Sequence, residues 1–196
     1  MPRYISNGEE AALHLKSAQR ILVVGCSGSG KSTLSRQLSE RFGLPHLPMD
    51  REFFWLPGWR LRPRLEMLAL ISKAAAGERW IMDGTSPKTL PLRLPRTDVV
   101  IWMRLPRWVS LRGVLLRWFA YWRKTRPDMA DDCPEKVDLD FLRYIWNFER
   151  RDAVEIDTQL ASYANLPVLV LKSHAETALL LNACSTGARS QIFRVD

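Results

Sequence analysis

The 196-residue sequence has no apolar run approaching the roughly 18 residues that a membrane-spanning helix needs. It has only three cysteines, Cys26, Cys133 and Cys184, and their spacing suits neither a disulfide framework nor a metal knuckle. Its three histidines are scattered, and its first 20 residues mix charges without the apolar core of a signal peptide. We therefore expect one cytoplasmic domain, spanning residues 1–196, with no metal cluster built on cysteine or histidine.

Acidic residues are missing from residues 99–127, which leaves this stretch strongly basic. Its seven basic residues are Arg104, Arg107, Arg112, Arg117, Arg123, Lys124 and Arg126. The whole chain has a formal net charge of +8, which favours polyanionic partners such as nucleotides, nucleic acid or acidic lipid, without choosing among them.

Short apolar segments alternate with helical patterns along the chain. Strands are predicted at 21–24, 44–49, 79–84, 98–103 and 166–171. This alternation is typical of a three-layer α/β fold, in which helices cover both faces of a parallel sheet. Long helices are predicted from Pro106 to about Lys124 and over 138–164. The connection between the last two strands is too long for a plain crossover, so we expect it to carry an inserted lid.

The clearest motif is GCSGSGKS, at residues 25–32, which fits G-x-x-x-x-G-K-[ST] at every fixed position. It follows an apolar strand and opens a helix, the context in which backbone N–H groups and a helix N-terminus bind phosphate. Lys31 is predicted to reach the β- and γ-phosphates of ATP, and the Ser32 hydroxyl to hold Mg²⁺. The predicted nucleotide-binding residues are Gly25, Ser27, Gly28, Ser29, Gly30, Lys31, Ser32 and Thr33.

Two aspartates follow predicted strands, at the sheet edge where ligands bind in such folds. Asp83 ends the apolar segment RWIM and is the candidate second metal residue, although a β-turn role is the alternative. Asp50 follows the second strand. It is a candidate to bind the acceptor, to orient a metal-bound water or to accept the acceptor's proton, and a helix cap is the alternative.

Together with the glycine-rich motif, three further stretches resemble one family: Met49 to Trp59, WIMDG at 80–84, and RPDMADDCPEK with the later FLRYIWNFERR. The chain resembles, over about residues 21–172, the adenylate-kinase-related P-loop proteins often labelled DNA topology modulation proteins. The resemblance implies a five-stranded parallel sheet in the order 2-3-1-4-5, an acceptor-binding region after strand two, and a helical lid at about residues 112–136. The label itself is no evidence of DNA binding.

The lid departs from the adenylate-kinase pattern of two arginines four residues apart. Here Arg112 and Arg117 are five apart, and Gly113 stands where the first arginine is expected. We therefore predict Arg117 and Arg126 as the catalytic lid arginines. On the acceptor side, Lys88 or Arg93 is a candidate to replace the arginine that contacts a monophosphate in adenylate kinase.

These patterns favour an ATP- and Mg²⁺-dependent kinase of the nucleotide-kinase type, with Lys31, Asp50, Arg117 and Arg126 as catalytic residues and an unidentified small-molecule acceptor. The main alternative is a nucleic-acid-associated P-loop ATPase that uses the basic arm at 104–126. A third possibility is a nucleotide-binding regulator with little turnover. For the aromatic, basic helix after Pro106, a membrane surface is a further alternative to packing on the core.

Overall fold

The structure, a computed structural model, describes residues 2–5 and 8–189. Its main sheet contains six strands, which are β1 Arg3–Ile5, β2 Arg20–Gly25, β3 His46–Pro48, β6 Trp80–Asp83, β7 Val99–Met103 and β8 Pro167–Leu171. A separate hairpin consists of β4 Trp55–Leu56 and β5 Arg60–Leu61. The α-helices are α1 Gly8–Ser17, α2 Lys31–Phe42, α3 Arg64–Ala75, α4 Leu90–Arg93, α5 Arg107–Ala120, α6 Leu139–Asn147, α7 Asp152–Ala161 and α8 His174–Arg189.

All neighbouring strands of the main sheet are parallel, in the order β1-β8-β7-β2-β6-β3. The prediction of five strands in the order 2-3-1-4-5 is therefore wrong in its count and in its numbering along the chain. A strand near the N-terminus, outside the predicted core of 21–172, pairs with β8 at the sheet edge. The five predicted strands nevertheless have the neighbours expected of them, with β2 at the centre.

Helices cover both faces of the sheet. Successive side chains of a strand point to opposite faces, so each strand contributes buried side chains to both helical layers. Ile21 and Val23 of β2 belong to a core with α1, α2 and α8. Leu22 and Val24 point the other way, into a core shared with α5, α6 and α7. Continuous apolar strands are the sequence signature of such a doubly covered sheet. The three cysteines are buried in these and a smaller cluster, and each is a free thiol in the structure.

The segment between β7 and β8 differs from its prediction in two places. Helix α5 ends at Ala120, four residues before the predicted end, and residues 121–138 form a loop with one isolated bridge between Thr125 and Pro134. The single helix predicted over 138–164 is interrupted at 148–151, where a 3-10 turn separates α6 from α7. Within the described residues, none of these helices is both long and apolar enough to cross a membrane.

Candidate active site

The carboxyl ends of the central strands meet at one cavity of about 900 Å³. The parallel register brings Asp83, the last residue of β6, beside Val23 of β2 and Pro48 of β3. Asp50 follows β3 directly, in one turn of π-helix. The glycine-rich loop follows β2 and lines the floor. Of the predicted site residues, the cavity lining includes Ser27, Gly28, Gly30, Lys31, Ser32, Thr33, Asp50, Asp83, Arg117 and Arg126.

The glycine-rich loop (residues 25–32) has the backbone of a phosphate cradle. Gly28 and Gly30 both have positive φ, at 80° and 95°, which turns the chain tightly into the start of α2. Lys31 Nζ donates a hydrogen bond across the loop to the Cys26 carbonyl at 2.7 Å. The two remaining predicted members lie behind the cavity wall: Ser29 is fully buried, and the Gly25 N–H donates to Thr85 Oγ1 at 2.7 Å.

Helix α5 packs directly on this loop at Gly113. A Cβ atom added to Gly113 would overlap the Gly28 carbonyl oxygen and lie only 3.1 Å from the Gly28 carbonyl carbon. The same crowding holds from the other side, where a Cβ on Gly28 would overlap the Ser110 carbonyl. An arginine at position 113 would therefore clash with the glycine-rich loop in this arrangement.

Positive charge is held at a cost inside the cavity. Burial lowers the pKa of Lys31, and the nearby Arg117 lowers it further, whereas Asp83 and Asp50 oppose the shift. Burial also lowers the pKa of Arg117, and the charge of Arg126 adds to this effect. Because burial disfavours the charged forms of both side chains, a polyanion bound in the cavity would stabilise their positive charges, and its own binding would be favoured by them.

Asp83 is buried at the back of the cavity, with 3% of its side chain exposed. One carboxylate oxygen lies 3.3 Å from His46 Nε2, and the other, Oδ2, has no hydrogen-bond partner among the described residues. A buried, unpartnered carboxylate oxygen is costly unless a ligand satisfies it. With the Ser32 hydroxyl lining the same cavity, these oxygen donors fit Mg²⁺, which prefers oxygen ligands.

An ion-pair chain connects the two predicted lid arginines to Asp50. Arg117 Nη2 lies 2.6 Å from Glu135 Oε1, and Arg126 Nε lies 3.2 Å from Glu135 Oε2. Arg126 Nη2 then donates to Asp50 Oδ2 at 3.3 Å. Glu135 is buried between the two arginines, so one carboxylate fixes both guanidinium groups relative to the sheet edge.

Asp50 lines the cavity, and 48% of its side-chain surface is accessible. Burial raises the pKa of Asp50 and the charge of Asp83 raises it further, while Arg126 lowers it. Asp50 is therefore easier to protonate than an ordinary aspartate. The alternative role as a helix cap is not seen, because no side-chain capping bond is made at the start of α2 or α3, or of the π-helical turn that contains Asp50.

The loop at 121–138 closes over the cavity by contacts with the β4–β5 hairpin. Trp59 has a positive φ of 59°, a strained conformation for a bulky residue. It is held there by a bond from its indole Nε1 to the Pro134 carbonyl at 3.1 Å and by its N–H on Cys133 Sγ at 3.2 Å. Trp55 packs edge-on against it at 5.0 Å. Both indoles line the cavity on the Asp50 side.

Other candidates from the sequence do not reach the cavity. Lys88 is exposed, and Arg93 is fully buried, where its guanidinium binds the carbonyls of Gly84 and Ser86 and so fixes the turn after β6. Arg112 is exposed on the outside of α5. The residues that the sequence missed include Glu135, His46 and His174, of which Glu135 and His174 line the cavity, His174 beside Gly30. Only its position just after the last strand could have pointed to His174.

No family model matches the chain, and no curated protein matches it. Solved structures do match. A shikimate kinase from Acinetobacter baumannii matches at 15% identity, with a TM-score of 0.56 over 91% of this chain and 98% of that one. A shikimate kinase from Bacteroides thetaiotaomicron matches at 13% identity, with a TM-score of 0.52 over 88% of this chain and 99% of that one.

The comparisons and the sheet topology show the fold: the chain is an α/β protein with the fold of these shikimate kinases. At such low identity the likeness concerns the fold alone. The DNA topology label implied by the sequence resemblance finds no support among these matches.

Proposed function

We propose that the protein is an ATP- and Mg²⁺-dependent phosphotransferase that acts on a small hydroxyl-bearing acceptor. The observation that carries this proposal is the convergence, in one cavity, of the glycine-rich loop, an unpartnered buried Asp83 oxygen and an ion-paired Asp50. A phosphate cradle alone serves many NTPases. A carboxylate in the same cavity is an additional feature that suits transfer to a hydroxyl acceptor.

The donor side would be held by the glycine-rich loop. Backbone N–H groups and the N-terminus of α2 would bind the phosphates of ATP, with Lys31 on the β- and γ-oxygens. Ser32 and Asp83 would hold Mg²⁺, which supplies charge neutralisation of the phosphates when it is bound. Arg117 and Arg126 would stabilise the charge on the phosphoryl group during transfer.

Asp50 would act on the acceptor. The acceptor hydroxyl oxygen attacks the γ-phosphorus, the bond from that phosphorus to the β,γ-bridging oxygen breaks, and ADP leaves. The hydroxyl proton passes to the Asp50 carboxylate, whose raised pKa favours that proton. Arg126, bonded to the same carboxylate, would keep it oriented toward the acceptor.

The kinase function is tested by measuring ADP release from ATP and Mg²⁺ in the presence of nucleoside monophosphates, nucleosides, sugars and other small hydroxyl compounds, with duplex DNA assayed separately. One small molecule should increase ADP release strongly. Lys31→Ala should abolish that release, whereas Lys73→Ala, an exposed lysine on α3, should leave it unchanged. A flat panel with stimulation by DNA alone would overturn the proposal in favour of a nucleic-acid-associated ATPase.

A further inference from the structure

The outward side of α5 and the turn after it carry large apolar side chains that remain exposed in the described structure. Trp108, Leu115, Phe119 and Trp122 are each between 42% and 68% exposed. With Arg112 they form what we call the α5 outer surface. Isolated exposed apolar residues are ordinary, but a contiguous set on one helix is typical of an interaction site.

The positions follow one helical stripe. Residues 108, 112, 115, 119 and 122 are spaced by four, three, four and three, which places them on the same side of α5 and the turn after it. The opposite side of the helix is already used: Ser110 and Val114 are buried, and Gly113 packs on the glycine-rich loop. The outer side chains therefore cannot be buried in the core by any rotation of the helix that keeps the cavity intact.

The charged residues of α5 and of the turn after it are all basic. Arg112 lies within the α5 outer surface, and Arg107, Arg123 and Lys124 lie at its ends, with no acidic residue from 99 to 127. Arg107 also lies over the ring of Trp146 at 4.6 Å, which in turn packs edge-on against Trp108. The acidic Asp140 on neighbouring α6 is paired with Arg143.

We propose that the α5 outer surface binds the surface of an anionic lipid bilayer. A helix with an apolar, tryptophan-containing side and basic residues at its borders lies in the interfacial plane of a membrane, with its apolar side chains inserted among the lipids. Tryptophan is enriched at that depth, and arginine and lysine are attracted to acidic headgroups. The proposal does not depend on the proposed transfer chemistry, so either one can fail without the other.

Two other occupants fit less well. Nucleic acid binds mainly through basic side chains on phosphates and aromatic side chains on bases, and Leu115 offers neither contact. A second copy of the chain, docked by the same surface, would bring the arginines of both copies together in an apolar interface. An anionic lipid surface, with its apolar interior, satisfies both the apolar side chains and the arginines.

The test is co-sedimentation of the full chain with phosphatidylcholine vesicles, with or without phosphatidylglycerol. We expect binding to the anionic vesicles at least about tenfold tighter than to the neutral ones, weakened by salt and accompanied by a blue shift of tryptophan fluorescence. The double variant Leu115→Ser/Phe119→Ser should lose at least about tenfold in vesicle affinity. The control, Leu65→Ser/Leu179→Ser, removes two other exposed leucines, from α3 and α8, and should bind as the unmodified protein does.

Thermal unfolding of both double variants checks that the fold is intact, which is expected because all four side chains are exposed. Absence of binding to anionic vesicles would overturn the proposal, as would equal binding by the two double variants. If the protein binds DNA but not vesicles, and Leu115→Ser/Phe119→Ser removes the DNA binding, the surface is a nucleic-acid site and the proposal is overturned. If the protein forms a concentration-dependent dimer that this variant disrupts, and does not bind vesicles, the surface is a self-association site and the proposal is overturned.

Discussion

Gly113→Ala tests whether α5 packs on the glycine-rich loop as closely as the structure indicates. In an exposed helix interior this substitution would stabilise the fold by about 1 kcal/mol, because alanine is the better helix former. Here the new methyl group would overlap the Gly28 carbonyl oxygen and lie 3.3 Å from the Gly28 Cα, so the neighbour is backbone and cannot rotate away. Restoring ordinary contacts requires α5 and the loop to separate by about 1 Å.

Overpacking of this kind costs about 1–3 kcal/mol, which exceeds the gain in helix propensity over most of its range. We expect a net loss of up to about 2 kcal/mol, or a melting temperature lower by about 2–8 °C, measured by circular dichroism. ATP affinity should fall in the same variant, because Gly28 is displaced with the loop. Gly8→Ala is the control, since a Cβ there meets nothing within 4 Å. A Gly113→Ala protein that is more stable and binds ATP normally would refute the close contact.

Two further substitutions test the cavity. Asp50→Asn should lower kcat by about 100-fold or more while leaving ATP affinity unchanged in titration calorimetry. Because the pKa of Asp50 is raised, its contribution to stability is present at low pH and is lost as pH rises through that pKa, so the variant should be no less stable than the parent at neutral pH. The acidic limb of the kcat profile, expected at higher pH than for an ordinary aspartate, should vanish in Asp50→Asn, and a limb that persists would assign it to another group. Glu135→Gln leaves Arg117 and Arg126 without their shared carboxylate, so the unfolding free energy in urea should fall by about 3 kcal/mol, and an unchanged value would show that the ion pairs contribute nothing.

The sheet and one side of the cavity were predictable because their signals are local. Each central strand is a short apolar run, and a parallel sheet brings the residues after such runs to one edge. Asp50 and Asp83 were found in this way, as was the glycine-rich loop from its spacing. The strand at Arg3–Ile5 was missed because three residues carry no periodic pattern, and only pairing with β8 makes them a strand.

The lid side of the cavity was predicted only in part, because its partners are distant in sequence. Arg117 was chosen from the resemblance to adenylate kinases and Arg126 as the other end of the proposed lid, and both line the cavity. The sequence around Glu135 does not indicate that it is buried between them. That burial requires the 121–138 loop to fold back onto α5, which brings Glu135 to Arg117, 18 residues earlier in the chain. The contact of His46 with Asp83 was likewise not predictable from the sequence, because it depends on the register of β3 against β6.

Helix α5 connects the glycine-rich loop with the proposed membrane-binding surface. Gly113 touches Gly28 backbone to backbone, and Arg117, one turn later, reaches into the cavity, so any tilt of α5 must displace both. We therefore expect ATP affinity, measured with a fluorescent analogue, to differ between vesicle-bound and free protein. Leu115→Ser/Phe119→Ser should abolish the difference without changing the affinity of the free protein. Equal affinity in a sample shown to be vesicle-bound would mean that α5 docks without tilting and that the two surfaces act independently.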